Sequence, residues 1–172
     1  KAIWCHSMDG GRQWIREGPL PRGQTFDFVE GITSVCADSA GTFTVSTVYG
    51  ASGLGSSVGS YTINTEGSTF VLNGPTFAIP FVSEMNQARR VGLPRITCNP
   101  SNENLYLSYT IYDGLPTTSM SVHFTSFIDD VWSLPVLLST GICNGSRPGV
   151  GPDGEVYVFW EDFSTNRIVG RR

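Results

Sequence analysis

The chain has 172 residues, 40% of them hydrophobic, which is long enough for one domain with a substantial core. A formal net charge of -4, with adjacent basic residues only at Arg89-Arg90 and Arg171-Arg172, argues against a nucleic-acid partner, and no apolar run reaches the ~20 residues that a membrane-spanning helix needs. Charged residues make up only 15% and glycines number 20, a composition typical of short strands joined by turns, so we expect an all-β fold.

Residues 1–17 have the pattern of a β-hairpin. Residues 2–6 form its first predicted strand, and residues 13–15 begin the second. The turn between them is Ser7-Met8-Asp9-Gly10-Gly11-Arg12-Gln13-Trp14, in which a serine and an aspartate two positions apart can bond the turn's own backbone amides. The glycines permit positive φ, and we expect Trp14 to cover the hairpin from the outgoing strand.

The rest of the chain repeats one scheme of strand, polar turn and second alternating strand. The turns lie at residues 38–41, 99–102 and 151–154, and Val45, Leu107 and Val158 fall on the same strand of successive repeats. A period of roughly 50–60 residues suits four-stranded blades. The chain therefore divides into approximate units 1–23 (the end of a blade), 31–80, 81–137 and 138–172 (the start of a blade).

The pattern Ser-x-Asp-x-Gly-x-x-Trp, formed by Ser7, Asp9, Gly11 and Trp14, resembles the Asp box, or BNR repeat, of sialidase-like β-propellers. In that family the box is structural and lies on the turn between the third and fourth strands of a blade. An aromatic residue after a polar turn recurs at Gly67-x-x-Phe70 and, more loosely, at Ser126 and Trp132. The resemblance implies a propeller of four-stranded antiparallel meanders. The alternative is a β-sandwich, which has short alternating strands but no repeat in phase.

The number of blades has a consequence for assembly. The chain contains about three blades, whereas a closed propeller needs roughly four to eight. Either the chain belongs to a longer protein, or copies assemble side by side, because open sheet edges and core would otherwise face water. We expect a homodimer that closes a ring of about six blades, or a longer chain.

Candidate ligand residues follow from the meander. Successive turns of a meander lie at opposite ends of its sheet. The first strands therefore begin at the same end of the sheet at which the second strands finish. Propellers usually bind ligands at such a face. Arginines suit carboxylates, aromatic rings suit sugar faces and acidic side chains suit hydroxyls, which together predict an acidic glycan. The candidates are Arg95, Arg147, Tyr109, Tyr112, Trp160, Glu161 and Asp162, with Tyr49 and Asp113 at the same ends of their strands.

Several of these candidates also have a structural alternative. The arginines can bond loop carbonyls at strand edges, and Trp160 can belong to the core. Glu161 and Asp162 can begin a solvated loop or accept hydrogen bonds within a turn.

The resemblance does not carry catalytic residues over to this chain. Sialidase-like enzymes hold the substrate carboxylate with three arginines, the first in an Arg-Ile-Pro motif, but here Arg95-Ile96-Thr97 lacks the proline and Arg147-Pro148 lacks the isoleucine. Tyr157 and Glu155 are two residues apart on one strand, but they lie beside the turn at the end of the sheet opposite to the candidate ligand face. We expect glycan binding rather than catalysis, with no cofactor. The alternatives are a structural or protein-interaction propeller without a sugar site, and a truncated sialidase-like glycoside hydrolase.

Other single residues give weaker signals. No Cys-x-x-Cys pair or metal-binding histidine pattern occurs, so we expect no metal site, and the cysteine spacing neither requires nor excludes disulfides. The sequon Asn144-Gly145-Ser146 permits N-glycosylation, and the composition favours a secreted protein. Because residue 1 is lysine and no signal peptide is present, we expect a mature form or a fragment. The cysteines are Cys5, Cys36, Cys98 and Cys143.

Overall fold

A computed structural model describes residues 3–7, 9–19, 28–51, 55–66, 69–79, 89–114 and 119–172. These residues form antiparallel sheets without any helix, which confirms the all-β class. No helix in these ranges is long and apolar enough to cross a membrane. Lys1 and Gly67, on which two sequence-based expectations depend, lie outside the described residues.

The first sheet is a hairpin of two strands, β1 (Ile3–His6) and β2 (Ile15–Pro19). The strands pair antiparallel from Ile3 with Pro19 to His6 with Ile15, with a register shift between Trp4 and Cys5. Pro19 cannot donate a backbone hydrogen bond, which an edge strand tolerates.

The second sheet is a four-stranded meander in which each strand pairs with the next one along the chain. Its strands are rich in valine, threonine and phenylalanine, which favour extended backbone. Asp38 Oδ1 shapes the first turn by accepting hydrogen bonds from Ala40 N and Thr42 N, each at 2.9 Å. The strands are β3 (Phe28–Ala37), β4 (Phe43–Ala51), β5 (Gly55–Glu66) and β6 (Thr69–Phe77).

The third sheet follows the same order, but its last strand is divided. It contains β7 (Arg89–Cys98), β8 (Leu105–Asp113), β9 (Ser119–Ile128), β10 (Val131–Trp132) and β11 (Val136–Gly141). Both β10 and β11 pair antiparallel with β9, at its two ends. Ser133 lies in the interruption, where its backbone N donates to Ser126 O at 2.8 Å and Thr125 Oγ1 donates to its carbonyl at 2.8 Å. The two short strands therefore act together as the fourth strand.

The last sheet has three strands, β12 (Cys143–Val150), β13 (Val156–Asp162) and β14 (Arg167–Arg171), again paired in chain order. The turn between β12 and β13 is closed by Gly151 N, which donates to Glu155 O at 2.8 Å. The same kind of bond closes the first turns of the two preceding sheets, from Asp38 N to Thr42 O and from Asn99 N to Asn104 O.

The first strands of the three larger sheets are neighbours, since β7 contacts both β3 and β12. Between β3 and β7 a disulfide joins Cys36 to Cys98, with their Cα atoms 5.7 Å apart, and Ile96 N donates to Ser34 Oγ at 3.2 Å. Apolar clusters fill the spaces between the sheets. One contains Val58, Ile79, Val91, Ile96, Leu107 and Ile111, and the other contains Val122, Cys143, Val158 and Trp160.

Candidate functional site

Arg95 and Arg147 occupy corresponding positions on neighbouring first strands. The expectation that they begin these strands is wrong, because each lies three residues before the last residue of its strand, β7 or β12. Each directly follows a register shift against the next strand. In β3 the corresponding residue is Ser34, which also follows a register shift. The shift is a shared property of all three first strands, so the fold places these three side chains in equivalent positions.

The positive charges of the Arg95 and Arg147 guanidinium groups repel each other. Burial and, secondarily, the positive charge of Arg147 lower the pKa of Arg95. Arg95 Nη1 donates at 3.1 Å to the carbonyl of Pro94, the preceding residue of β7, and not to a loop carbonyl as the structural alternative supposed. Within the described ranges neither arginine forms an ion pair with a carboxylate. Two cations without a neutralising partner make this position attractive to an anion.

An exposed aromatic ring lies beside Arg147. Phe159 pairs with Arg147 across β12 and β13, so the two side chains share one face of the sheet, and the phenyl group is 50% exposed. It stacks with the ring of Tyr157, with the centroids 6.4 Å apart and the planes at 14°. Sequence reasoning selected its neighbour Trp160 instead. The alternation of β13 could have pointed to Phe159, because it places these adjacent residues on opposite faces.

Tyr109 and Trp160 have packing positions in this structure. Tyr109 is 2% exposed and its ring stacks on His123, with centroids 5.4 Å apart. Trp160 is 3% exposed and belongs to the cluster around Val122 and Val158. Tyr49 is likewise buried. Neither Tyr109 nor Trp160 presents a surface to a ligand, so both leave the candidate set.

Tyr112 connects the third sheet to the last one. Its hydroxyl donates to Asn144 Oδ1 at 3.1 Å, and the guanidinium of Arg90 lies 5.3 Å from the centre of its ring. Burial raises the pKa of the Tyr112 hydroxyl. Asn144 also accepts a hydrogen bond from Gly145 N at 2.6 Å, and Ser146 of the same sequon is buried. The side-chain oxygen of this asparagine therefore holds two sheets together.

The two acidic candidates differ in their surroundings. Glu161 is exposed on β13, whereas Asp162 forms the turn that follows. Asp162 Oδ1 accepts hydrogen bonds from Ser164 N at 2.9 Å, from Ser164 Oγ, and from Thr165 N at 3.4 Å. The side-chain bond from Ser164 is the main reason that the pKa of Asp162 is lowered. The structure thus gives Asp162 the turn-acceptor role anticipated as its alternative.

The turn at residues 7–14 is organised by its own side chains, as the spacing predicts. Asp9 Oδ1 accepts from Arg12 N and Gln13 N at 2.9 Å each. Ser7 Oγ donates to Asp9 Oδ1 and accepts from Gly11 N, both at 2.8 Å. Gly10 and Gly11 have φ of 70° and 86°. The expected cover by the indole of Trp14 is wrong, because this side chain is 66% exposed. Its Nε1 donates to Gly11 O at 3.1 Å.

Sequence reasoning missed one polar cluster. The Nε2 atom of His123 lies 2.9 Å from Ser121 Oγ. The spacing of two residues on one strand was the available signal, because it places both side chains on one face. Near this pair, Arg89 Nε lies 2.9 Å from Asp113 Oδ1.

No group of three or more His, Cys, Asp or Glu side chains in the described ranges is arranged to hold a metal ion. No protein-family model matches the chain, and no curated protein matches it at a significant level. Any assignment of function therefore depends on the residues and geometry described above.

Proposed function

We propose that this chain is a glycan-binding arc of sialidase-like β-propeller blades, with the turn at residues 7–14 as an Asp box. Three observations support this proposal. The sheets have meander order, β7 contacts both β3 and β12, and the first strands have equivalent register shifts. A β-sandwich does not require first strands of successive meanders to be neighbours.

The observation that carries the ligand assignment is that Arg95 and Arg147 have no carboxylate partner among the described residues. A carboxylate on the ligand accepts charge-assisted hydrogen bonds from both guanidinium groups and relieves their repulsion. The exposed ring of Phe159 offers an apolar surface to the C–H face of the attached sugar. The ligand class that combines these features is a glycan with an acidic sugar.

Binding is proposed in preference to catalysis. Tyr157 and Glu155 are hydrogen bonded, with the Tyr157 hydroxyl donating to Glu155 Oε1 at 3.4 Å, but Glu155 Oε2 also accepts from Asp153 N at 3.0 Å. Glu155 is thereby committed to its turn, which supports a structural role. A glycoside hydrolase would need two catalytic groups at defined positions. Glycan binding requires no catalytic group.

A secreted location fits the same proposal. The disulfide between Cys36 and Cys98 is of a kind that persists in oxidising compartments and is rare in the cytosol. Extracellular surfaces are also where acidic glycans are exposed.

Titration calorimetry with acidic and neutral methyl glycosides tests the function. We expect the methyl glycosides of N-acetylneuraminic acid or glucuronic acid to bind, and methyl glucoside not to bind at the arginine pair. Arg95→Ala or Arg147→Ala should each weaken binding about 10-fold or more, since a hydrogen bond to a charged group contributes about 1.5–3 kcal/mol.

Arg167→Ala is the matched control, because Arg167 is an exposed arginine on β14 outside the proposed site. Its affinity for the acidic glycoside should equal that of the parent chain. If the acidic and neutral sugars all fail to bind, the glycan site is excluded and the alternative of a propeller scaffold without a sugar site is favoured.

A further inference from the structure

A cavity of 240 Å³ opens at one end of the third sheet, away from the arginine pair. It lies where β7 and β9 begin and where β8 and β11 end, and neither Arg95 nor Arg147 lines it. Among the described residues, its polar lining consists of Arg89, Asp113, Ser119, Ser121, His123 and Thr140.

Among the residues that the structure describes, the charged groups that line this cavity balance. Arg89 Nε and Asp113 Oδ1 are 2.9 Å apart, so one positive and one negative group occupy the same wall. Burial, followed by the positive charge of Arg89, lowers the pKa of His123, which keeps its imidazole neutral at neutral pH. A cavity without net charge favours a neutral ligand, in contrast to the doubly positive arginine pair.

The hydrogen-bonding groups are of mixed type. The guanidinium of Arg89 can only donate and the carboxylate of Asp113 can only accept, whereas the hydroxyls of Ser121 and Thr140 can do both. The ring of His123 is fixed in place by its stacking on Tyr109 and by the 2.9 Å contact of its Nε2 with Ser121 Oγ. Sugar hydroxyls also donate and accept, so this lining matches them better than it matches an anion, which needs donors only.

The cavity also has an apolar part and a limited size. Leu137, which pairs with His123 across β11 and β9, is 50% exposed, and the half-buried Met120 lies nearby in the lining. Cavities for drug-sized ligands usually measure about 300–1,000 Å³, so a space of 240 Å³ suits a single ring.

We propose that this cavity binds one neutral hexopyranose ring, at a second site that is independent of the arginine pair. The ring hydroxyls bond to Arg89, Asp113 and Ser121, and its C–H face lies on Leu137. The proposal does not rest on the acidic-glycan site, because no residue is shared between the two.

Amide chemical-shift mapping on the isotopically labelled full chain tests the second site. The probes are the methyl glycosides of glucose, galactose, mannose and N-acetylglucosamine, each titrated to saturation. We expect at least one of them to shift amides at the start of β9 and at the end of β11. Thr140→Trp should weaken that binding about 10-fold or more, because the indole fills the cavity from an exposed rim position.

Glu103→Trp is the matched control, since Glu103 is exposed in the turn at the opposite end of the same sheet. It should leave the glycoside shifts unchanged. The proposal is overturned if none of the four probes produces saturable shifts at these strands, or if the shifts persist in Thr140→Trp. It is equally overturned if sodium acetate alone produces the saturable shifts. An acidic-glycan site that depends on Arg95 and Arg147 would survive each of these failures.

Discussion

The carboxylate of Asp9 organises a turn almost without help from the rest of the chain. Its Oδ1 accepts from two backbone amides and from Ser7, and the bond from Gln13 N is the main reason that its pKa is lowered. The spacing of serine, aspartate and glycine predicts these bonds because every partner lies within four residues. The exposure of Trp14 could not be predicted in this way, since burial of the ring depends on other parts of the chain.

We expect Asp9→Ala to lower the melting temperature at neutral pH, because three hydrogen bonds to the carboxylate are lost. The pKa of Asp9 is lower in the folded than in the unfolded chain, so its stabilisation is present above the ordinary value of 3.8 and is lost as the pH falls through the folded value. Melting curves from neutral to strongly acidic pH should therefore show the difference between parent and variant shrinking in acid. A Glu103→Ala control should match the parent at neutral pH, and an equally small effect of Asp9→Ala would contradict this role.

Trp14→Ala should be much less harmful than the loss of a core aromatic. A buried tryptophan replaced by alanine costs about 3–5 kcal/mol, but this ring is 66% exposed and makes one hydrogen bond to Gly11 O. Urea unfolding of the variant measures the change in free energy. A cost in the range of a buried aromatic would show that another surface covers the ring in solution.

At the scale of the strands, the contacts that join one sheet to another involve residues far apart in the sequence. No local sequence pattern predicts them. Alternation and turn residues predict where β4, β8 and β13 run, because strand and turn preferences act over a few residues. The pairing of Cys36 with Cys98 instead depends on β3 and β7 being neighbours. Tyr109 was among the candidate ligand residues for the same reason. Alternation identifies the two faces of a strand, but it does not show that a neighbouring sheet covers one of them.

Removing the disulfide with Cys36→Ser and Cys98→Ser together should destabilise the protein. Its cysteines are 62 residues apart in sequence, and freeing a loop of that length lowers the free energy of unfolding by about 4 kcal/mol on a chain-entropy estimate. Urea unfolding with and without a reductant checks this, because the reductant should destabilise the parent but not the double variant. Cys5→Ser, at an exposed free cysteine, is the control and should behave as the parent does.

The molecule as a whole consists of meanders whose first strands are adjacent, and its last sheet has three strands rather than four. On the described part of the chain β14 pairs only with β13, which leaves one of its edges open. On this edge strand the side chain of Ile168 is 71% exposed. An open edge with an exposed apolar side chain favours a further sheet at this position, supplied by a second copy of the chain or by additional sequence.

We propose that these sheets are blades of a ring that one chain does not complete. Two copies related by a twofold axis would give about six blades and bury an obligate interface of roughly 2,000 Å² or more. Light scattering of the purified chain at low micromolar concentration measures the mass directly. We predict a stable species of twice the 18.7 kDa chain mass. A stable, well-folded species of 18.7 kDa would contradict the claim.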